Sequence, residues 1–241
     1  MRSLLLIGLL LTLGVFPAFP AESLPSSTNP YERRATHDPN GIGKFYMDRE
    51  IAHVMGHQAA DWLERSNREQ EEKTSLLMEV LNFKPGETVA DIGAGTGYHV
   101  RRIAPMVVPD GKVYAVDIQQ EMLDFLTNKP TSAGITNVVP VLGTVTDPKL
   151  PTNSVDTILM VDVYHEFDFP FEMTAAMCRA LKPGGRMIFV EFRGEDESVP
   201  IKRVHKMTEA QVKKEMSVHP LVWKETNRKL PWQHVIVFTR K

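Results

Sequence analysis

Residues 89–98 read Val89-Ala90-Asp91-Ile92-Gly93-Ala94-Gly95-Thr96-Gly97-Tyr98. An apolar run holding one acid precedes three glycines at alternate positions, and a helical pattern follows. Glycine has no Cβ, so such a loop turns sharply and brings its backbone close to a ligand. The N–H groups that open the following helix can bind an anionic group or a carboxylate. A second apolar run, Lys112-Val113-Tyr114-Ala115-Val116, ends in Asp117, where a carboxylate can accept from both hydroxyls of a ribose. Strand, glycine loop, helix, strand and acid, in that order, predict a pocket for an adenosine-type cofactor. The dinucleotide fingerprint G-x-G-x-x-G is not met, because Tyr98 stands at its last glycine and the third glycine comes one residue early.

Short apolar runs and helical patterns alternate beyond this loop. Strands are expected near Val89–Ile92, Val113–Val116, Val138–Leu142, Thr157–Val161 and Arg186–Phe192. Helices are expected near Tyr98–Met106, Gln120–Asn128 and Phe169–Ala180. Such alternation implies a parallel sheet covered on both faces. Lys182-Pro183-Gly184-Gly185 reads as a turn before the fifth strand. A helix near Thr208–Met216 and strands near Val222–Asn227 and His234–Thr239 complete the pattern. Upstream, Glu69–Leu81 reads as an amphipathic helix with Leu76, Leu77, Val80 and Leu81 on its inner side. The Gly41–Trp62 segment is dense in functional groups, and Met47–Met55 is expected to be helical. The expected organisation is a helical lid or extension over residues 41–82 before one α/β domain over residues 83–241.

The remaining sequence bounds the function. The 241 residues carry a net charge of -2, and no Lys/Arg run exceeds a pair. Nothing here suggests a groove that tracks nucleic acid, so no nucleic-acid partner is expected. Arg2, the apolar run Leu4–Phe16 and Pro17–Ala21 predict a secretory signal over residues 1–21, too short for a comfortable membrane span. Glu22–Asn40, rich in Pro, Ser, Thr and Asn, reads as a linker. The expected location is periplasmic or secreted, with no stable span after signal removal; a cytoplasmic location follows if the leader does not function. Cys178 is the single cysteine, which excludes an intrachain disulfide and a cysteine-based metal site. His53 and His57 are four apart, but no H-E-x-x-H pattern is present, and no metal centre is expected.

The glycine motif, Asp91 before it and Asp117 after it resemble the class I S-adenosylmethionine-dependent methyltransferases. The resemblance extends from Glu69 to Arg193, through Ser154–Leu159 as a fourth strand and Leu181–Gly185 as the turn before a fifth. It implies a Rossmann-like, doubly wound sheet of seven mostly parallel strands with a final antiparallel strand, and an N-terminal helical extension. It implies S-adenosyl-L-methionine as cofactor. Asp91 and the backbone of Gly93, Ala94, Gly95 and Gly97, with Tyr98, would then surround the methionine part. Asp117 would hold the ribose, Ile118 would pack on the adenine, and Asp162 would lie nearby. Many family members carry an acid at the position of Thr144 to read the adenine amino group. Here either the threonine hydroxyl or Asp147 takes that place.

Ligands of open α/β sheets collect beyond the carboxyl ends of the strands. Asp162-Val163-Tyr164-His165-Glu166-Phe167 and Glu191-Phe192-Arg193 occupy that edge. Tyr164, His165 and Glu166 are the candidate catalytic residues. His165 leads because an imidazole titrates near neutrality and can remove a proton from a hydroxyl or amine acceptor. The alternative is a histidine that only orients its neighbours. Tyr46, Arg49 and Arg193 are candidates for acceptor binding. A small-molecule methyl acceptor is expected. Protein methylation, a non-catalytic nucleoside-binding module and a nicotinamide-dependent oxidoreductase remain as other readings.

Overall fold

The computed structural model describes residues 29–128 and 134–241. The expected signal and the start of the expected linker lie outside the described residues. From residue 29 the chain forms β1 (Tyr31–Arg33), β2 (Gly41–Tyr46) and β3 (Arg49–Ala52), an antiparallel three-stranded sheet. This corrects the expected helix at Met47–Met55. Met47 and Asp48 take φ of 46° and 72°, left-handed values that close a two-residue hairpin and that no helix interior adopts. His53 and His57 therefore share no helix face: one follows β3 and the other opens a short 3-10 turn. The part of the expected linker from Tyr31 onward is tied down, because the Tyr31 hydroxyl donates to the Glu172 carboxylate.

Three short helices follow: α1 (Ala60–Leu63), α2 (Arg68–Glu72) and α3 (Thr74–Leu81). The continuous helix expected over Glu69–Leu81 breaks at Lys73, whose φ is 55°. The Glu69 carboxylate covers the break by accepting from the Ser75 N–H.

The main sheet runs through β4 (Thr88–Ile92), β5 (Lys112–Asp117), β6 (Val138–Leu142), β7 (Val155–Val161), β8 (Leu181–Phe192), β9 (Leu221–Asn227) and β10 (Gln233–Arg240). Its order is β6-β5-β4-β7-β8-β10-β9. The five strands β4 to β8 pair in parallel, and β10 lies antiparallel between β8 and β9. This is the expected doubly wound sheet with its late antiparallel strand. The helices between strands are α4 (Val100–Val107), α5 (Gln120–Asn128), α6 (Pro170–Ala180) and α7 (Glu209–Met216).

Strand alternation divides the core. Ala90, Ile158, Met160, Met187 and Phe189 pack on one face with Met173 and Met177 of α6 and Val212 and Met216 of α7. Val89, Leu159, Ile188 and Val190 pack on the other with Leu77 and Leu81 of α3 and Ile103 and Val107 of α4. Successive side chains of a strand point to opposite faces, so a strand buried on both sides reads as one apolar run. β8 starts five residues earlier than expected: the Lys182–Gly185 segment stays in the strand, across a register shift opposite Val155–Thr157.

Candidate functional site

The glycine loop leaves β4 with Gly93, Gly95 and Gly97 at φ of 74°, 53° and 80°. A Cβ on Gly93 would lie 2.4 Å from Val163 Cγ2, so the close approach of two loops at the sheet edge requires glycine there. Beside this loop lies a cavity of about 970 Å³ including its open mouth, with Gly93, Gly95, Asp117, Ile118, Asp162 and Glu166 in its wall. Asp117 closes β5. One carboxylate oxygen accepts from the Gly95 N–H at 2.9 Å and the other from the Gln119 N–H at 2.9 Å. An ionised carboxylate has about four lone-pair directions, so Asp117 keeps capacity for further donors. Burial raises its pKa, and those N–H bonds oppose the rise. Ile118 is exposed beside it and offers an apolar surface to a planar ring.

Asp91 is buried at the end of β4, and its Oδ2 has no hydrogen-bond partner. Burial, then the neighbouring Asp117, push its pKa up to about 7, against the Arg68 guanidinium. Asp162 follows β7 with one oxygen accepting from Gln233 Nε2 and the other unpartnered. Burial and the nearby Glu72 and Glu191 carboxylates raise its pKa well above the usual range. Buried polar atoms normally find partners; of these two free oxygens, that of Asp162 belongs to a residue of the cavity wall and suits a ligand that brings its own donors, whereas Asp91 lies behind the wall. Thr144 also lines the cavity, while its hydroxyl oxygen accepts from the Asp147 N–H at 3.1 Å. Asp147 accepts from the Lys149 N–H and does not line the cavity.

The N-terminal extension supplies the opposite wall through Val54, Met55, Trp62, Leu63 and Arg68. Two side chains fasten it. Gln119 donates to the Met55 carbonyl at 2.8 Å and accepts from the His57 N–H at 2.9 Å. Glu166 accepts from the Met55 N–H at 3.2 Å. Arg68 is buried, pairs with Glu72 at 2.8 Å and lies 3.1 Å from His99 Nε2.

The acceptor-side candidates separate. Glu166 reaches the cavity, and burial raises its pKa against the neighbouring His165. His165 is buried in the 3-10 turn Tyr164–Glu166, with Nδ1 2.6 Å from Glu191 Oε2. Burial opposes charge on this ring, but the Glu191 carboxylate outweighs that and raises its pKa. His165 Nε2 lies 3.2 Å from His205 Nδ1. Tyr164 does not line the cavity; its hydroxyl donates to Glu215 Oε2 at 2.7 Å.

Other sequence candidates are also placed away from the cavity wall. Arg49 forms two hydrogen bonds with the fully buried Glu215, at 2.7 and 2.9 Å, and a third to the His165 carbonyl. Tyr46 is buried against Tyr31. Arg193 donates to the carbonyls of Leu230, Pro231 and Gln233, which fixes the approach to β10. Tyr46, Arg49 and Arg193 thus do not line the cavity. Ala94 and Gly97 shape the loop without lining the cavity. Tyr98 does not line it either; its ring packs against the Arg68 and Arg102 guanidinium groups. Sequence reasoning missed Arg68, Gln119, Met55, Leu63 and His205, none of which stands in a motif. Trp62 lines the cavity, and the Arg65 guanidinium lies 3.8 Å from its ring centroid.

The residues present fit S-adenosylmethionine. Asp117 suits a ribose, Ile118 an adenine, and the backbone of Gly93 and Gly95 with the unpartnered Asp162 oxygen an amino-acid moiety. The chain is 33% identical over 115 residues to protein-L-isoaspartate O-methyltransferase of Methanopyrus kandleri, an alignment covering 47% of this chain and 48% of that protein. It is 31% identical over 118 residues to the ubiquinone/menaquinone biosynthesis C-methyltransferase of Ectopseudomonas mendocina, covering 48% of this chain and 46% of that one. The chain thus spans about half the length of these relatives. Its fold matches a SAM-dependent methyltransferase from Aquifex aeolicus with a TM-score of 0.73 at 22% identity, over 78% of this chain and 100% of that one. Residues 83–237 match the family described as methyltransferase domain, and the chain belongs to that family.

Proposed function

We propose that this chain transfers a methyl group from S-adenosylmethionine to a small molecule, and that it does so outside the cytoplasm. The observation that carries the reading is one cavity that joins the glycine loop, Asp117 and Ile118 to the carboxylates of Asp162 and Glu166. When bound, the cofactor supplies a sulfonium methyl group open to in-line displacement. The chain's own task is to align an acceptor with that methyl and to exclude water. Met55, Trp62 and Leu63 form an apolar cover, fastened through Gln119 and Glu166. Burial raises the proton affinity of Asp162 toward the range where a carboxylate accepts a proton from a hydroxyl or ammonium acceptor. His165 acts beside Glu166 as a positioning residue, held by Glu191. A cavity covered by Met55, Trp62 and Leu63 suits a small acceptor better than a folded protein surface. The location outside the cytoplasm rests on Arg2 and the apolar run Leu4–Phe16.

The test combines calorimetry with labelled methyl transfer. S-adenosylmethionine and S-adenosylhomocysteine should bind, and label should pass into the low-mass fraction of a cell extract. Binding of NAD alone would overturn the cofactor assignment. Label confined to protein would overturn the acceptor class, and cofactor binding without any transfer would leave a binding module. Fractionation with N-terminal sequencing tests the location; a cytoplasmic product that retains Met1 rejects it.

A further inference from the structure

His165, Glu166 and His205 present three ligand-type atoms to one point, although the sequence separates the two histidines by forty positions. His165 and Glu166 lie in the 3-10 turn after β7, and His205 ends a second 3-10 turn, Arg203–His205. The separations are 3.2 Å from His165 Nε2 to His205 Nδ1, 3.7 Å from His205 Nδ1 to Glu166 Oε1 and 3.9 Å from His165 Nε2 to Glu166 Oε1. Ligands about 2.1 Å from a tetrahedral ion stand ~3.4 Å apart. The three edges bracket that value, so an ion enters with small side-chain adjustments.

Two further observations point to an ion. Glu191 Oε2 holds His165 Nδ1 at 2.6 Å and is itself fully buried; its other oxygen accepts from the Tyr164 N–H at 2.9 Å. The proton of a neutral His165 ring is thereby placed on Nδ1, which leaves the Nε2 lone pair facing the cluster. A carboxylate behind a ligating imidazole is the usual way a protein fixes the tautomer and orientation of a metal-bound histidine. Glu166 and Glu191 bring two negative charges to a buried cluster, while Arg49 nearby is already paired with Glu215. A divalent cation held by the two imidazoles and Glu166 would offset carboxylate charge that burial makes costly.

We infer that His165, Glu166 and His205 form a binding site for a borderline divalent transition-metal ion, with Glu191 orienting His165. Two imidazole nitrogens and one carboxylate suit zinc, cobalt or iron better than magnesium or calcium. His205 is partly exposed and leaves an entry path. Glu166 also lines the cavity beside the glycine loop, so the ion sits at the cavity edge. Three protein ligands would leave room for water or an acceptor oxygen, and a bound ion would lower the pKa of a hydroxyl there. The inference goes beyond methyl transfer, and metal occupancy is measured independently of it.

The test uses the full chain, stripped with a chelator and titrated with Zn²⁺ and Co²⁺. One ion per chain should bind, and the cobalt form should show the intense visible bands of a four-coordinate site. His205→Ala and Glu166→Gln should each weaken Zn²⁺ binding at least ~100-fold. Glu191→Gln should weaken it ~10–100-fold, as loss of an orienting partner does. His53→Ala and His57→Ala should leave it unchanged. A wild-type chain that binds no Zn²⁺, or a folded His165→Ala/His205→Ala chain that binds it as tightly as wild type, overturns the inference. S-adenosylmethionine calorimetry on the stripped chain reads the cofactor assignment separately.

Discussion

Gln119 and Met55, 64 positions apart, are joined by a 2.8 Å hydrogen bond from the glutamine Nε2 to the methionine carbonyl. The same side chain accepts from the His57 N–H, so one residue after β5 fastens the cover over the cavity. Gln119→Ala removes both bonds and leaves the cover free to open. Loss of two such bonds costs ~1–3 kcal/mol. S-adenosylmethionine affinity should fall about tenfold, on that same scale of energy, and limited proteolysis near residues 54–63 should accelerate. Unchanged affinity and cleavage would show that Gln119 does not hold the cover.

Gly93 meets two demands at once. Its φ is 74°, and a Cβ would lie 2.4 Å from Val163 Cγ2. Gly93→Ala should lower stability by ~1–3 kcal/mol through strain in the left-handed region and the clash. It should also abolish measurable cofactor binding, because the loop must shift away from Val163. Thermal melts and calorimetry on the same preparation check both effects. Gly95→Ala should be milder, since its Cβ meets only the flexible tip of Leu63, at 2.8 Å.

Asp91 should impose a pH dependence on the unliganded chain. Its pKa is near 7 in the fold and near 3.8 in an ordinary setting. The folded state therefore holds more protons than the unfolded state between about pH 4 and pH 7, and stability falls as pH rises through that window. The cost is complete above pH 7 and is on the order of a few kcal/mol. Asp91→Asn should flatten the decline and raise stability at pH 8. Urea denaturation at pH 5, 6.5 and 8 measures the slope; an identical slope in the variant would refute the assignment.

Arg49 and Glu215 form a buried ion pair under the Tyr164–Glu166 turn. Arg49→Met strands the fully buried Glu215 carboxylate and should cost about 3–5 kcal/mol. Arg49→Met/Glu215→Leu should recover much of that loss, because no charge is then left unpaired. Denaturation midpoints of the three chains give the comparison. A recovered stability with slow methyl transfer would show that the pair positions the turn rather than holding the fold together.

Much of the main sheet is legible in the sequence. The spans expected at Val138–Leu142 and Gln120–Asn128 coincide with β6 and α5. Apolar runs between glycine and proline punctuation leave few other arrangements for a sheet buried on both faces. The extension was less legible. Its hairpin turns on Met47 and Asp48 at positive φ, where glycine or asparagine would have signalled the turn. Lys73 breaks the α2–α3 helix in the same unmarked way. Arg49 and Arg193 look like ligand-binding cations in sequence, but their guanidinium groups are consumed by Glu215 and by backbone carbonyls.

The sequence by itself determined the glycine loop, Asp117 and the order of strand and helix, because these depend on backbone freedom and periodicity along a few neighbouring residues. Only the tertiary structure decided what faces the loop. Gln119 on Met55, Arg68 in the cavity wall and His205 against His165 are contacts between segments far apart in the chain. Packing of the extension and of the segment after β8 against the sheet edge creates them, and no local spacing encodes that packing.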